Sequence, residues 1–155
     1  MGKTKKVKGT KQTLTFTEGE KPFHVKAIKC KSAKQKEFLK AVESSTITLC
    51  NGIPGSGKTF LACYAALKML EKKQVDKIVL VKSVTTLPEE DLGYLPGSEK
   101  DKMAPFILSF TGNIDKLIGE EECKKLFKDN KIVVQPIAYI RGITIDNAVV
   151  ILDEC

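Results

Sequence analysis

The 155 residues are enough for one domain with its own core, and 42% hydrophobic with 29% charged residues is ordinary globular composition. Five widely spaced cysteines with no CxxC pair suggest neither a disulfide framework nor a zinc site, and they fit a reducing, cytoplasmic setting. No apolar run reaches the roughly 18 residues that span a membrane, nothing apolar backs the basic start to make a secretion signal, and Lys6 spoils a myristoylation pattern. The net charge of +7 is local: residues 1–40 carry twelve lysines against Glu18, Glu20 and Glu37, for +9, while residues 41–155 sum to −2.

Residues 1–12, rich in Lys, Gly and Thr, read as a disordered basic arm, and residues 13–155 as one domain. Such an arm is either a solvated tail or a phosphate-neutralising contact for nucleic acid, and only Phe16 and Phe23 offer base stacking. TLTF at 13–16 and FHVKAIK at 23–29 alternate apolar and polar residues, as two short strands would. His24, the single histidine, excludes a multi-histidine metal site and is given no role. Ser32 opens a helix with Phe38, Leu39, Ala41 and Val42 on one face. Gln35 either completes a capping box with Ser32 or presents its amide to an adenine ring, 17 residues ahead of Gly52.

Thr46 to Cys50 is expected to be the first core strand, feeding a glycine-rich loop and then a helix. Gly52, Gly57, Lys58 and Thr59 satisfy GxxxxGK(S/T), the P-loop pattern. Glycines at 52, 55 and 57 let backbone amides, with Ser56 among them, turn inward around phosphates. Lys58 adds a charge at the β- and γ-phosphates, and Thr59 supplies a hydroxyl ligand for Mg²⁺. FLACYAALKML, residues 60–70, is apolar nearly all round, so that helix is buried against a sheet; Cys50 and Cys63 read as small buried hydrophobes.

Lys77 to Lys82 reads as a buried parallel strand, which makes a βαβ unit with Thr46–Cys50. Residues 84–103 form a long loop with two prolines, two glycines and seven charged side chains, placed where open α/β sheets bind ligands. Residues 104–118 and 120–128 read as helices, with Glu120, Glu121 and Glu122 in the first turn of the second. Ile132 to Gln135 is a strand, Arg141 and Gly142 lie in a connection, and AVVILDE at 148–154 is an apolar strand ending in two carboxylates. After a P-loop this is the Walker B pattern: Asp153 holds Mg²⁺ through its water shell, and Glu154 orients and polarises the attacking water.

Four stretches together resemble the PhoH-like (phosphate-starvation-inducible) ATPases, P-loop proteins related to the first domain of superfamily 1 helicases. They are KSAKQKEFLKAV, GIPGSGKTFLA, LGYLPGSEKDKMAPF and IAYIRGITIDNAVVILDE, within residues 26–154. The resemblance implies an α/β, RecA-like P-loop NTPase with a parallel sheet flanked by helices, and favours adenine as the partner of Gln35. It also implies a role for Arg141 at developing γ-phosphate charge, in its own site or a neighbour's; a surface arginine binding nucleic acid or pairing with a carboxylate is the competing reading. Two departures stand out. Lys82 and Ser83 replace the family's Arg-Pro, and the family continues past the acidic pair. In the P-loop class with a glutamate beside Walker B, the strand between the P-loop strand and the Walker B strand follows Walker B in sequence. A gap at the centre of the sheet is therefore expected, with an incomplete C-terminal part, weak ATP binding and poor hydrolysis.

The functional expectation is an ATPase using ATP and Mg²⁺, with Lys58, Glu154 and Arg141 catalytic. Gln35, Gly52, Gly55, Ser56, Gly57, Lys58 and Thr59 would bind nucleotide, and Thr59 and Asp153 the metal. Its partners would be RNA or single-stranded DNA, or further copies of the chain, and no membrane. The rivals are a P-loop kinase acting on a small molecule and a non-catalytic nucleotide-binding module.

Overall fold

A computed structural model describes residues 23–82, 99–137 and 140–153. Helix α1 spans Ala33–Ser44 and α2 spans Lys58–Glu71, followed by strand β1 at Lys77–Lys82. Helices α3 (Glu99–Ile118) and α4 (Glu120–Lys128) lead into β2 (Ile132–Pro136), and β3 covers Ala148–Asp153. The sheet order is β2-β1-β3 and both pairings are parallel, so each passage between paired strands is a crossover. Central β1 is buried through Ile78, Val79, Leu80 and Val81, as a run of branched apolar residues demands.

One face of the sheet, through Ile78, Leu80, Ile132 and Ile151, joins the core with α2, α3 and α4. Helix α2 contributes Cys63, Ala66, Leu67 and Leu70, α3 contributes Phe110, Ile114 and Leu117, and Leu67 and Phe110 are wholly buried. The all-round apolar character of α2 is thereby explained, because it meets the sheet on one side and α3 on another. Helix α1 is amphipathic but has no fully buried residue; it lies on α2 with its apolar face half-buried. Helix α4 starts after Gly119 with Glu120, Glu121 and Glu122 in its first turn, where carboxylates favour the helix dipole.

Five expectations are corrected. Thr46 to Cys50 is not a strand: it pairs with no described strand, and Ile47 and Leu49 are 79% and 95% exposed. An apolar segment becomes a strand only when a neighbour takes its backbone groups, and none of the three described strands lies beside it. The βαβ unit expected across α2 is accordingly absent among the described residues, and Cys50 is exposed, whereas Cys63 is buried. Residues 23–29 are irregular rather than a strand. They are held by Val25, which is buried, by its N–H donating to Glu71 Oε1 at 3.0 Å, and by Lys26 N–H donating to the Leu117 carbonyl at 2.9 Å. Finally, α3 begins at Glu99, five residues before the expected start at 104. The expected strand at 13–16, the LGYLPG stretch and Glu154 lie outside the described residues.

Glu71 is a local anchor. It accepts from Val25 N–H, pairs with Lys68, and has His24 Nδ1 2.9 Å from Oε1. Burial opposes its charge, but hydrogen bonds from Lys68 and the Val25 amide outweigh it and hold the carboxyl below its ordinary value. A depressed folded-state value stabilises the fold above the ordinary carboxyl range, and that contribution disappears as pH falls through the folded value. The stability gap between the parent and Glu71→Gln, measured by urea unfolding, is therefore expected to be larger at neutral pH than in acid, closing as the pH falls through the folded-state value. A gap independent of pH would rule out the ionic contribution. Leu67→Ala is expected to cost about 2–5 kcal/mol, and Leu49→Ala to stay within about 0.5 kcal/mol. Equal losses at the two positions would mean that residues 46–50 pack into the core.

Candidate functional site

The loop between Thr46–Cys50 and α2 is shaped by two glycines in the left-handed region, Gly55 at φ +75° and Gly57 at φ +86°. Side chains rarely adopt this conformation, so the pattern's Gly57 is required by the backbone itself. Gly57 is also the N-cap of α2 and offers no side chain to the first-turn amides. Those amides, which lack intrahelical acceptors, remain available to an anion at the positive end of the helix. Lys58 folds back across the loop, its Nζ donating to the carbonyls of Gly52 at 2.7 Å and Ile53 at 3.0 Å. The ammonium is thus held over the loop by neutral acceptors.

One turn of α2 and the end of β3 meet at Thr59 and Asp153. The Thr59 hydroxyl donates to Asp153 Oδ1 at 3.0 Å across 94 residues of sequence. In the ladder Asp153 is the register partner of Lys82, and both continue the α2 side of the sheet that carries Leu80 and Ile151. Lys82, the residue that replaces the expected arginine, therefore stands at the same carboxyl end of the sheet. Cys63, one turn beyond Thr59, has its thiol pushed up to about 12 by burial and then by the Asp153 carboxylate.

Gln35 reaches this loop in a way the sequence did not disclose. Its backbone N–H donates to Ser32 Oγ at 3.2 Å, so the N-cap is formed. Its side-chain Oε1 accepts from Lys31 N–H at 2.6 Å, and Nε2 donates to the Ser56 carbonyl at 3.1 Å. The reciprocal arm of a capping box, back to the Ser32 amide, is replaced by the bond from Lys31. A cleft of about 420 Å³ opens here, with Gln35, Gly57 and Phe60 in its walls alongside Lys29, Lys31 and Lys116. Lys29 and Lys31 are near neighbours in sequence, but Lys116 comes from a segment more than 80 residues away, so no spacing in the sequence could have grouped all three. A larger groove between α1 and α2, about 600 Å³, is walled partly by Leu39, Val42, Tyr64 and Met69 and includes no residue of the loop.

The structure therefore brings together Gln35, Gly52, Gly55, Ser56, Gly57, Lys58, Thr59 and Asp153. Arg141 lies in an exposed turn before Gly142, which has φ +85°. Among the described residues no group of three or more His, Cys, Asp or Glu side chains gathers as a metal site, and no helix is long and apolar enough to cross a membrane.

A P-loop closed on its own lysine, with its threonine bonded to a carboxylate at the end of a parallel strand, is the arrangement expected of a P-loop NTPase domain. The family model described as PhoH-like protein matches residues 27–155. The chain belongs to the PhoH-like family. Similar PhoH-like relatives include the PhoH-like protein of Synechocystis sp., 34% identical over 92% of this chain and 43% of the relative. The PhoH-like protein of Bacillus subtilis is 33% identical over 83% of this chain and 40% of its own length. Protein PhoH of Escherichia coli is 35% identical over 82% and 36%. This chain thus spans less than half the length of these PhoH-like relatives. Membership makes it a P-loop NTPase-like domain of α/β architecture.

Exposure and burial separate two cysteines of this PhoH-like chain. Alkylation of the native protein with N-ethylmaleimide, read by peptide mass spectrometry, is expected to label Cys50 and to spare Cys63 until the chain is unfolded. Rapid labelling of Cys63 in the native state would contradict its burial beneath Thr59.

Proposed function

We propose that this chain binds ATP with Mg²⁺ and hydrolyses it, in the service of RNA or single-stranded DNA. The observation that carries this reading is the 3.0 Å bond between Thr59 and Asp153, which sets the P-loop hydroxyl against a strand-end carboxylate. These two oxygen donors fit Mg²⁺, which is held by one or two protein groups and completes its shell with phosphate and water. When bound, the ion supplies neutralisation of phosphate charge.

The chain's own residues do the rest in this reading. Amides of the loop and of the start of α2 donate to the α- and β-phosphates. Lys58 exchanges the Gly52 and Ile53 carbonyls for β- and γ-phosphate oxygens, an exchange favoured because the new acceptors are fully charged. Glu154 is adjacent to Asp153 in sequence and is the group assigned to orient and polarise water, since Asp153 is committed to the metal. Arg141 is assigned to developing γ-phosphate charge, in its own site or that of a neighbouring copy. The +9 charge of residues 1–40 supports a nucleic-acid partner, because lysines release counterions on meeting phosphates.

Steady-state ATP hydrolysis by the 155-residue chain tests the proposal. Glu154→Gln is expected to lower turnover by about 10²- to 10⁴-fold with ATP binding retained. Lys58→Ala is expected to lose binding itself. Added RNA or single-stranded DNA is expected to raise turnover, with an effect that fades between about 50 and 200 mM salt. Unchanged turnover in Glu154→Gln would replace hydrolysis with a binding role, and ATP consumption only on addition of a metabolite acceptor would make the protein a kinase.

A further inference from the structure

We propose that Gln35 is a positioning residue that sets the orientation of the Ser56–Gly57 peptide unit, and through it the phosphate-binding amides of the loop. The inference rests on the reading of the loop as a phosphate site. It assigns to Gln35 a role that needs no base in the cleft.

The argument begins with the two ends of the Gln35 side chain. Ser32 fixes the start of α1, which places Gln35 in its first turn. Lys31 N–H then occupies Oε1 at 2.6 Å, and this determines which side of the amide faces the loop: Nε2, a donor, at 3.1 Å from the Ser56 carbonyl. A trans peptide is planar, so the Ser56 carbonyl and the Gly57 N–H point in opposite directions. Holding the carbonyl toward α1 aims the Gly57 N–H away from it.

The need for such a hold follows from Gly57 itself. Its φ of +86° is open to it because it has no Cβ, and negative φ is equally open. Rotation of the Ser56–Gly57 peptide is therefore cheap, and a half-turn would replace a donating N–H by an accepting carbonyl on the phosphate side. The residue that allows the loop to form also allows it to flip. Gln35 opposes the flip from outside the loop, 21 residues earlier in the chain.

Isothermal titration of the 155-residue chain with inorganic tripolyphosphate and with ATP, both with Mg²⁺, tests this. Gln35→Ala, and Gln35→Glu, which keeps the shape but turns an oxygen toward the Ser56 carbonyl, are expected to weaken both ligands by a similar factor of about ten, or 1.4 kcal/mol. The Gly57 amide resonance in ¹⁵N-labelled protein is expected to shift in both variants. Ser32→Ala, which removes the α1 cap but keeps the Gln35 amide, is expected to weaken tripolyphosphate binding less than Gln35→Ala does. Loss confined to ATP would overturn the proposal in favour of a base contact. Equal loss in Ser32→Ala would overturn it in favour of general packing of α1. Absence of tripolyphosphate binding in the parent chain would overturn the phosphate-site reading and this inference together, and is distinguishable because it precedes any substitution.

Discussion

The placement of α2 is the constraint on which the rest depends. Its N-terminus must stand at the carboxyl end of the sheet, and its side chains hold it there. Leu67, Ala66, Cys63 and Leu70 lock the helix against Ile78, Leu80 and Ile151 on one side and α3 on the other. A shift of one turn would carry Thr59 about 5.4 Å from its place and break its bond to Asp153. Burial along the helix thus sets polar geometry at its tip. Because interiors are packed without slack, small core changes would be felt at Thr59 as displacement.

Electrostatics at that tip come from backbone as much as from side chains. The loop presents amides at the start of a helix, a lysine held by two carbonyls, and one carboxylate bonded to a hydroxyl. None of these groups is left to compensate itself in isolation: the ammonium has neutral acceptors and the carboxylate a neutral donor. An anion with its own cation would satisfy both sets at once. This complementarity distinguishes the loop from the larger groove between α1 and α2, whose walls pair apolar residues with ordinary surface charges.

The sheet shows where the described fold stops satisfying itself. Strand β3 pairs with β1 along one edge, and the segment entering the P-loop pairs with no described strand, with Leu49 nearly wholly exposed. The expectation of a gap came from the order of strands in P-loop proteins, whereas the expectation of Thr46–Cys50 as a core strand came from its apolar pattern alone. The described sheet does not bear out the second. Pattern reports which residues favour pairing, but pairing requires a neighbour, and the identity of a neighbour is a property of the whole sheet.

The sequence by itself determined the local features: the glycine positions that demand positive φ, the capped start of α1, the buried run of β1, and the residues Lys58, Thr59 and Asp153. Each is dictated by short-range sterics, by helical or strand periodicity, or by a motif whose spacing is its mechanism. Tertiary structure decided what meets across distance. It brought Thr59 to Asp153 over 94 residues, gathered Lys29, Lys31 and Lys116 around one cleft, and left Ile47 and Leu49 in solvent. Gln35 shows the division most plainly. Its place in the first turn of a helix was legible because Ser32 precedes it by three residues. Its bond to Ser56 was not, because the approach of α1 to the loop is set by packing on α2, which no local pattern encodes.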